Sequence, residues 1–528
     1  MAARTGALAP LSNPTFRALW IASLGSNVGT LVQGVGAAWL MTSLATSPLL
    51  VSLVQSATSL PSFLLALPAG ALADVMDRRV IVLGTNIWMA VTTAVLAALT
   101  FFGAMSPALL LAFTFLLGLG SALGTPAWQA MLPELVTREE LPAAVALNSA
   151  GFNLARSIGP AIGGLAVAWL GTGSTFALNA VSYLGVIYVV ARWQRTASVA
   201  DLPAERMGGA MRVGLGYVRH APELRAVLAR TALFMAFASA IWALLPAVAR
   251  YELAMGPTGY GILLGCLGLG AVLGAVVLGW LRERVSTNRV VLGASLAYAL
   301  STVVVARVPN VWVVAPALFV TGLAWLCCMS SFNTHVQVGT PLWVRGRALA
   351  IYLLVVFGGM ALGGALWGAV AQHAGLPMAL ELAAGGLVLG LLGARRYPLA
   401  EPTADLDPSH HWPEPELYAS PRPDDGPVFV VVEYRIDPAQ APAFKAALGE
   451  LRRLRLRDGA QRWTLLHDIA VPERYLESFS TRTWAEHVRQ HHRVTEADRL
   501  IEARAAAFHQ GDGPPLVSHL LATPPPRS

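Results

Sequence analysis

The sequence is poor in charged residues, and the acidic ones are scarce over most of its length. Of 528 residues only 13% are charged, whereas soluble domains carry about 25%, and 55% are hydrophobic. Residues 1–400 hold 11 of the 30 acidic residues and 401–528 hold 19. A soluble enzyme that fills the whole chain is therefore excluded, and the composition predicts an apolar, net basic membrane part followed by a mildly acidic soluble part.

Other absences exclude particular chemistries. The three cysteines, Cys266, Cys327 and Cys328, lie in apolar stretches without metal-binding spacing or a disulfide framework. No phosphate-binding loop of the type G-x-x-x-x-G-K-S/T is present, so direct use of ATP is not expected. The arginines lie mostly beside apolar segments, so the basic charge does not indicate a nucleic-acid partner. We expect neither a cofactor nor an enzymatic activity.

Twelve apolar segments are long enough to cross a bilayer, which takes about 20 residues. They are predicted at 17–41, 49–73, 80–102, 107–131, 143–169, 174–192, 226–249, 258–281, 289–306, 311–335, 347–372 and 377–396. The longest break, 193–225, separates them into two sets of six. The sequence thus predicts an all-α membrane protein with two six-helix halves, 1–192 and 226–396, joined by a central loop at 193–225.

The arginines between these segments indicate the orientation, because Lys and Arg remain on the cytoplasmic side. With the N-terminus inside, the inner loops and tails hold about 18 arginines, whereas the outer loops hold two, Arg250 and Arg307. This asymmetry predicts that both termini are cytoplasmic.

The loop after the second segment carries a recognisable motif, formed by Gly70, Leu72, Asp74, Arg78 and Arg79. A carboxylate at a helix end can pair with the following arginines or lie at a neighbouring helix N-terminus. The alternative is a solvated Asp in an ordinary positively charged inner loop. The motif resembles the loop signature of the major facilitator superfamily, except that Asp77 stands where that family usually has Gly. The resemblance implies a gating latch that favours one arrangement of the two halves.

The fifth segment carries Gly159, Pro160, Gly163 and Gly164. Small residues let helices approach closely, and a proline permits a kink, so ordinary tight packing is one interpretation. The pattern also resembles the fifth-span signature of drug exporters of the same superfamily, with Ala155 in place of its first glycine. That resemblance implies export.

Longer stretches at 124–136, 141–148 and 344–348 are similar to the branch that includes the enterobactin exporter and the transmembrane secretion effector proteins. The resemblance implies a secondary transporter of the bacterial inner membrane, built from inverted three-helix repeats and working by alternating access. Its cargo would be a siderophore, a macrolide-like drug or another amphipathic metabolite, and the implied coupling ion is the proton. The alternatives are an importer of the same fold, or a membrane-anchored enzyme or sensor that acts through its C-terminal domain.

Polar residues within the apolar segments are candidates for the substrate cavity. Arg156 shares a helix face with Asn153 and either meets polar substrate groups or is a buried structural arginine. The other candidates are Asn27, Gln33, Gln55, Asn148 and Asn333, although a single Asn or Gln more often joins two helices. His335 and Glu381 are the candidate coupling residues, and neither is an obvious central proton carrier.

The C-terminal part is predicted as a linker, 397–427, and a domain, 428–528, with the element order βαββαβ of a ferredoxin-like fold. It is similar to small dimeric α/β-barrel domains such as antibiotic-biosynthesis monooxygenases, which implies a homodimer through this domain. Five residues could form an active site or a haem pocket: Trp463, Trp484, His487, His491 and His492. Because His491 and His492 extend an Arg-rich face predicted to be solvated, a regulatory or dimerising module is favoured over catalysis.

Overall fold

The computed structural model describes residues 8–137, 139–193, 207–400, 405–409, 411–412 and 421–522. The chain divides into two compact units. The first, here the helical unit, comprises 1–204, 228–333 and 350–400. The second, here the tail unit, comprises 205–227, 334–349 and 401–528.

The first half of the helical unit contains six long helices. They are α1 (Pro14–Leu44), α2 (Pro48–Val75), α3 (Arg78–Phe101), α4 (Pro107–Met131), α5 (Leu141–Leu170) and α6 (Thr172–Arg192). Four of them begin at a capping side chain that accepts hydrogen bonds from the first turn: Asn13, Ser47, Asp77 and Ser106. Three of these caps are followed by proline, whose missing N–H costs nothing at a helix start.

A short amphipathic helix, α7 (Met207–His220), precedes the second half. The helices of the second half are α8 (Pro222–Ala247), α9 (Pro257–Arg282), α10 (Thr287–Arg307), α11 (Val311–Val338), α12 (Leu342–Ala374), α13 (Leu376–Gly390) and α14 (Gly393–Arg396). The segment predicted as a loop, 193–225, therefore contains α7 and the start of α8. A π-helical turn, Val248–Glu252, continues α8.

Among the described residues, ten helices are long and apolar enough to cross a membrane. They are α2, α3, α4, α6 and α8–α13. Helices α1 and α5 coincide with two further predicted segments. Helix α1 carries Asn27, Thr30 and Gln33, which lower its hydropathy.

Close packing in the first half depends on glycines of α1, which packs against α5 and α6. A Cβ added at Gly36 would lie 2.1 Å from Oγ1 of Thr175, and one at Gly29 would lie 2.6 Å from Oδ1 of Asn179. Both partners are on α6. Glycine at these positions lets the two backbones approach, as is common between helices in membranes.

The tail unit contains a four-stranded antiparallel sheet with the order β2-β3-β1-β4. Its elements are β1 (Val428–Arg435), α15 (Ala441–Arg457), β2 (Arg462–His467), β3 (Arg474–Thr481), α16 (Trp484–His491), α17 (Glu496–Ala506) and β4 (Leu516–Leu521). One face of α15, with Phe444, Leu448, Leu451 and Leu454, is buried in the same core as alternate residues of β1. The helix is therefore amphipathic, with these side chains on its buried face.

The second helix predicted for the tail is two helices. Thr483 begins α16, and its side chain accepts a hydrogen bond from the backbone N–H of Glu486. A complete capping box forms one helix later, where Thr495 and Asp498 satisfy each other's backbone N–H groups at the start of α17. The Thr-x-x-Asp pattern at 495–498 is the sequence signal for this second start.

Candidate transport pathway

The two halves of the helical unit meet at one end, here the short-loop end, where residues 45–47, 171 and 375 connect successive helices. Gly164 of α5 and Gly261 of α9 face each other, and a Cβ on either would lie 2.8 Å from the Cα of the other. Because both residues lack a side chain, the two helix backbones approach directly, and α5 and α9 form an extensive contact.

Helices α2 and α12 form a second contact between the halves. The Ser47 hydroxyl donates to Oε1 of Gln372 at 2.6 Å, and the Ser56 hydroxyl donates to the carbonyl oxygen of Ala361 at 2.6 Å. Between these two bonds, Gly368 packs directly on Ser52. The contact therefore runs from the short-loop end along more than one turn of each helix.

The π-helical turn after α8 adds hydrogen bonds at the same end. Nη1 of Arg250 donates to the Ser43 hydroxyl at 2.7 Å, and its guanidinium lies 5.4 Å from the ring centre of Trp39. The Tyr251 hydroxyl donates to the carbonyl oxygens of Thr42 and Ala45, each at 3.1 Å. The end of α1 is thus fixed to the end of α8, and the two halves are joined at the short-loop end.

Farther from this end, Arg156 of α5 lies against Trp242 of α8. Its guanidinium carbon is 5.6 Å from the indole ring centre, within the range of a cation–π contact. Arg156 forms no ion pair with any residue that the structure describes. The indole N–H of Trp242 is buried and has no hydrogen-bond partner within the described ranges. Among the described residues, a cation without an ion-pair partner and an unpaired indole donor therefore lie together between the halves.

An aromatic cluster continues from Trp242 into the second half. The Trp242 and Trp325 ring centres are 5.2 Å apart, and Trp325 contacts Phe234 at 5.8 Å. Phe234 also packs on Tyr298 at 5.4 Å and on Phe332 at 6.2 Å. Arg156 thus contacts the end of an aromatic cluster through Trp242, and no periodic pattern in the sequence indicates that these five residues from three helices meet.

The predicted cavity residues have different environments. Oε1 of Gln33 accepts from Nδ2 of Asn179 at 2.5 Å and from the Thr93 hydroxyl at 3.4 Å, so Gln33 joins α1 to α6 and α3. Nε2 of Gln55 donates to the Ser59 hydroxyl, and Nδ2 of Asn153 donates to the Ser149 carbonyl oxygen, each one turn away on its own helix. Asn27, Asn148 and Asn333 are half-buried.

Tyr183 of α6 extends the Gln33 network. Its hydroxyl lies 3.3 Å from the Thr30 hydroxyl and accepts from Nδ2 of Asn179 at 3.3 Å. Sequence reasoning did not single out Thr30 or Tyr183. Threonine and tyrosine are common in helices and carry no signal of their own. Only the packing of α1 on α6 brings these two hydroxyls together.

The gating-loop arginines contact other elements of the first half. Nη1 of Arg78 donates to Oε1 of Glu134 at 2.8 Å and to the Ala130 carbonyl oxygen at 3.0 Å. Arg79 donates to the carbonyl oxygens of Val190 and Ala191 at the end of α6, which satisfies carbonyls left free there. Gly70, Leu72 and Asp74 are in the last turns of α2, and the Asp74 side chain lies outside what the structure describes.

The glycines of the fifth-span motif all face neighbouring helices. A Cβ at Gly159 would lie 2.8 Å from Cβ of Leu31, and one at Gly163 would lie 3.0 Å from Cβ of Val35. Both neighbours are on α1, whereas Gly164 faces α9. Pro160 is buried within α5. The motif is thus a packing surface that contacts helices of both halves.

The two candidate coupling residues, Glu381 and His335, lie on different helices and have different environments. Glu381 of α13 forms an ion pair with Arg307 at the end of α10, with Nη2 2.9 Å from Oε2. His335 is buried near the end of α11. The pairing of Glu381 gives its carboxylate a fixed partner at the short-loop end.

The tail contains a buried ionic network that the sequence did not reveal. Nε of Arg455 lies 3.2 Å from Oε1 of Glu477, and its Nη1 lies 2.5 Å from Oε1 of Glu502. The Tyr434 hydroxyl and the Trp463 indole N–H also donate to Glu477. Burial raises the pKa of Glu502, but Arg455 and two further hydrogen bonds outweigh it and lower that pKa to about 2.

The histidines of α16 are less solvated than predicted. His487 is buried and His491 half-buried, whereas His492 is exposed as expected. Burial, with a smaller contribution from the neighbouring histidines, lowers the pKa of His487 to about 3 and that of His491 to about 4. His487 contacts Trp484, with ring centres 5.3 Å apart. Trp463 lies on β2 and bonds to Glu477, so it belongs to the ionic network.

Solved structures share the helical architecture. A bacterial homologue of the human lysosomal transporter Spinster aligns with a TM-score of 0.57 at 14% identity, covering 72% of this chain and 97% of that one. The nucleoside transporter NupG aligns with a TM-score of 0.58 at 14% identity, covering 73% and 100%. These alignments show that the helical unit shares the fold of these membrane proteins, in agreement with its apolar helices.

The chain belongs to the transmembrane secretion effector family, whose model matches residues 5–526. It is similar to the multidrug efflux pump Tap of Mycobacterium tuberculosis, with 28% identity over 428 residues, 75% of this chain and 97% of that protein. It is also similar to the staphyloferrin A transporter of Staphylococcus aureus, with 28% identity over 221 residues. That match covers 42% of this chain and 55% of the relative. The predicted superfamily and branch are therefore confirmed.

Proposed function

We propose that this protein exports a small amphipathic molecule across the bacterial inner membrane by alternating access. Helices α1–α6 and α8–α13 would form twelve spans, with both termini in the cytoplasm. The arginines at the helix ends opposite the short-loop end support this orientation. The relatives, a multidrug efflux pump and a siderophore transporter, support export of a drug-like molecule or a siderophore.

The observation that carries the proposal is the junction of the two halves at the short-loop end. In the proposed orientation this end faces outward, so the structure corresponds to a state closed to the outside. Export then requires that the Gly164–Gly261 and α2–α12 contacts open while the opposite ends of the helices approach. The fifth-span glycines would provide the close-packed surface on which α5 moves.

Arg156 and the aromatic cluster are the proposed contact site for the substrate. A cation beside a buried indole donor suits a carboxylate, hydroxamate or carbonyl oxygen, while the aromatic rings suit an apolar or aromatic portion. The half-buried Asn27, Asn148 and Asn333 would add polar contacts along the same path. Gln33 and Gln55 would act mainly in helix packing, given their hydrogen bonds.

The loop motif at residues 70–79 would stabilise one arrangement of the two halves at the cytoplasmic side. Arg78 and Arg79 fix α3 to the ends of α4 and α6, which leaves Asp74 to act at the end of α2. Coupling to protons follows from the family relationship, with His335 and Glu381 as candidates. The tail, 428–528, is proposed to be a ferredoxin-like module with a regulatory or dimerising role, and the sheet order β2-β3-β1-β4 supports that fold.

The test is transport by the purified full-length protein in vesicles of known orientation. A panel of siderophores and macrolides is offered with and without a proton gradient, and accumulation is measured in inverted vesicles. Gradient-dependent accumulation there supports proton-coupled export, whereas accumulation only in right-side-out vesicles would identify an importer. Asp74→Asn should reduce transport, and Asp77→Asn, three residues later, is the matched control.

A further inference from the structure

Three histidines from two elements of the tail converge on one point. His487 and His491 are four residues apart on α16, so they lie on the same helix face. His519 reaches them from β4, which lies beside β1 at the edge of the sheet that the structure describes. One nitrogen from each of the three rings lies within 4.8 Å of the other two, and Nε2 of His487 is 3.2 Å from Nε2 of His491.

The distance between the His487 and His491 nitrogens is the one that two ligands of a tetrahedral metal ion require. Zinc binds imidazole nitrogen at about 2.0–2.1 Å, so two such ligands at the tetrahedral angle lie about 3.3 Å apart. A hydrogen bond between the His487 and His491 rings would give a similar distance. It would not explain the approach of His519, whose ring centre is 4.9 Å from that of His487.

Unpartnered polar atoms accompany the histidines. Nδ1 of His487 and both amide atoms of Gln490 are buried, and none has a hydrogen-bond partner within the described ranges. Buried polar atoms of native proteins are nearly always satisfied, and exceptions often mark an ion or an ordered water. Three such atoms lie within one turn of α16, and an ion or an ordered water would satisfy them.

The neighbouring carboxylate, Glu502, already accepts hydrogen bonds with both of its oxygens. Oε2 of Glu502 accepts from Nε2 of His411 at 2.8 Å and from the Trp412 indole N–H at 2.7 Å, while Oε1 accepts from Arg455. Trp412 packs edge-on against His491, with ring centres 4.8 Å apart. The cluster therefore offers three nitrogen ligands and no free carboxylate from Glu502, and this donor set suits Zn²⁺ or Co²⁺ rather than Mg²⁺ or Ca²⁺.

We propose that His487, His491 and His519 form a binding site for one divalent transition-metal ion, with the fourth position open to water or a small ligand. The ion has ligands on both α16 and β4, so its binding links the last strand of the sheet to this helix. This site belongs to the tail unit, and the proposal does not depend on the direction or cargo of transport.

The experiment is a metal titration of the full-length protein in detergent, purified without a histidine tag and stripped with a chelator. Co²⁺ is added while its visible absorption is recorded, and Zn²⁺ affinity is measured against a chromophoric chelator. We expect one Co²⁺ per chain with the intense bands of a tetrahedral site, displaced by Zn²⁺. His519→Gln and His491→Ala should weaken Zn²⁺ binding by at least about tenfold, and His467→Ala, on β2 of the same sheet, should leave it unchanged.

Hydrogen exchange of the wild-type protein gives a second readout that does not depend on how the variants fold. Zn²⁺ should slow exchange in 484–491 and 516–521 and leave α15 unaffected. The proposal is overturned if wild-type protein binds no metal at micromolar concentration, or if His467→Ala loses as much affinity as His519→Gln. Metal binding without protection of α16 and β4 would likewise contradict it.

Discussion

Gly164 of α5 and Gly261 of α9 approach so closely that a Cβ on either would lie 2.8 Å from the Cα of the other. No rotamer change can relieve such a clash, because both partners are backbone. The contact joins the two halves of the helical unit, and it is the feature on which the proposed outward-closed state depends.

Gly164→Val should therefore prevent closure at the short-loop end and reduce transport by at least about tenfold, while the protein still reaches the membrane. The matched control is Gly265→Ala, four residues after Gly261, where a Cβ would meet only Cβ of Ala161 at an ordinary 3.9 Å. Efflux from cells measures transport. Labelling of a cysteine placed at position 171 measures whether the short-loop end is closed. Equal activity of the two variants would remove this contact from the mechanism.

Arg156→Ala should abolish export of substrates with anionic or acceptor groups and reduce export of neutral aromatic substrates less. The cation–π contact with Trp242 is worth about 0.5–2 kcal/mol, so Trp242→Phe, which keeps a ring, should preserve more activity than Trp242→Ala. Arg250→Ala removes another arginine–indole contact at the short-loop end and serves as the comparison. A uniform loss for all substrates would indicate a structural arginine instead.

Glu477 is fully buried and accepts from Arg455, Tyr434 and Trp463. Glu477→Leu should destabilise the tail by about 3–5 kcal/mol, because it leaves the Arg455 charge buried with one partner fewer. Glu450→Leu removes the exposed ion pair with Arg504 and should cost no more than about 1 kcal/mol. Chemical unfolding of the full-length protein, followed by hydrogen exchange in 428–522, gives both values.

The tail should lose stability in acid because the folded state keeps Glu502 ionised. Its pKa in the folded protein is about 2, below the ordinary 4.5. The stabilisation is therefore complete above pH 4.5 and is lost as the pH falls toward 2, by about 3 kcal/mol in total. Glu502→Gln should remove this part of the pH dependence. Unchanged acid sensitivity in that variant would show that other carboxylates dominate.

Helix α7 is fixed within the tail unit by Tyr217, whose ring packs edge-on against Trp343 of α12. The Arg457 guanidinium lies 5.5 Å from the ring centre of Tyr217, and that of Arg493 lies 4.6 Å from Trp343. Tyr217→Ala should therefore speed hydrogen exchange of α7 and expose it to proteases, whereas Leu215→Ala, an exposed neighbour, should not. If the two variants behave alike, α7 is held by other contacts.

The helix ends and the membrane class were predictable because their causes are local. Asn13, Ser47 and Ser106 precede apolar runs and begin the helices, as capping residues do. Helix α7 was missed because a short amphipathic helix among arginines resembles a solvated loop. The second start at Thr495 was missed because α16 ends only four residues earlier, and no proline or glycine marks the break.

The environments of the site residues were not predictable to the same degree. The motif at 159–164 indicated packing, but not that Gly159 and Gly163 face α1 while Gly164 faces α9. Arg78 pairs with Glu134, 56 residues away, and nothing in the loop itself points to that carboxylate. Likewise, Gln33 was a cavity candidate, and the packing of α1 on α6 made it a hydrogen-bonding partner of Asn179.

The sequence alone determined that this is a multi-pass membrane protein followed by a more charged C-terminal part, because the cost of placing charge in a bilayer shapes the composition of every segment. Tertiary structure decided which distant residues meet: Gly164 with Gly261, Arg156 with Trp242, and His519 with the two histidines of α16. Such pairs are fixed by how helices and strands pack, and packing depends on the shapes of whole surfaces rather than on any local pattern.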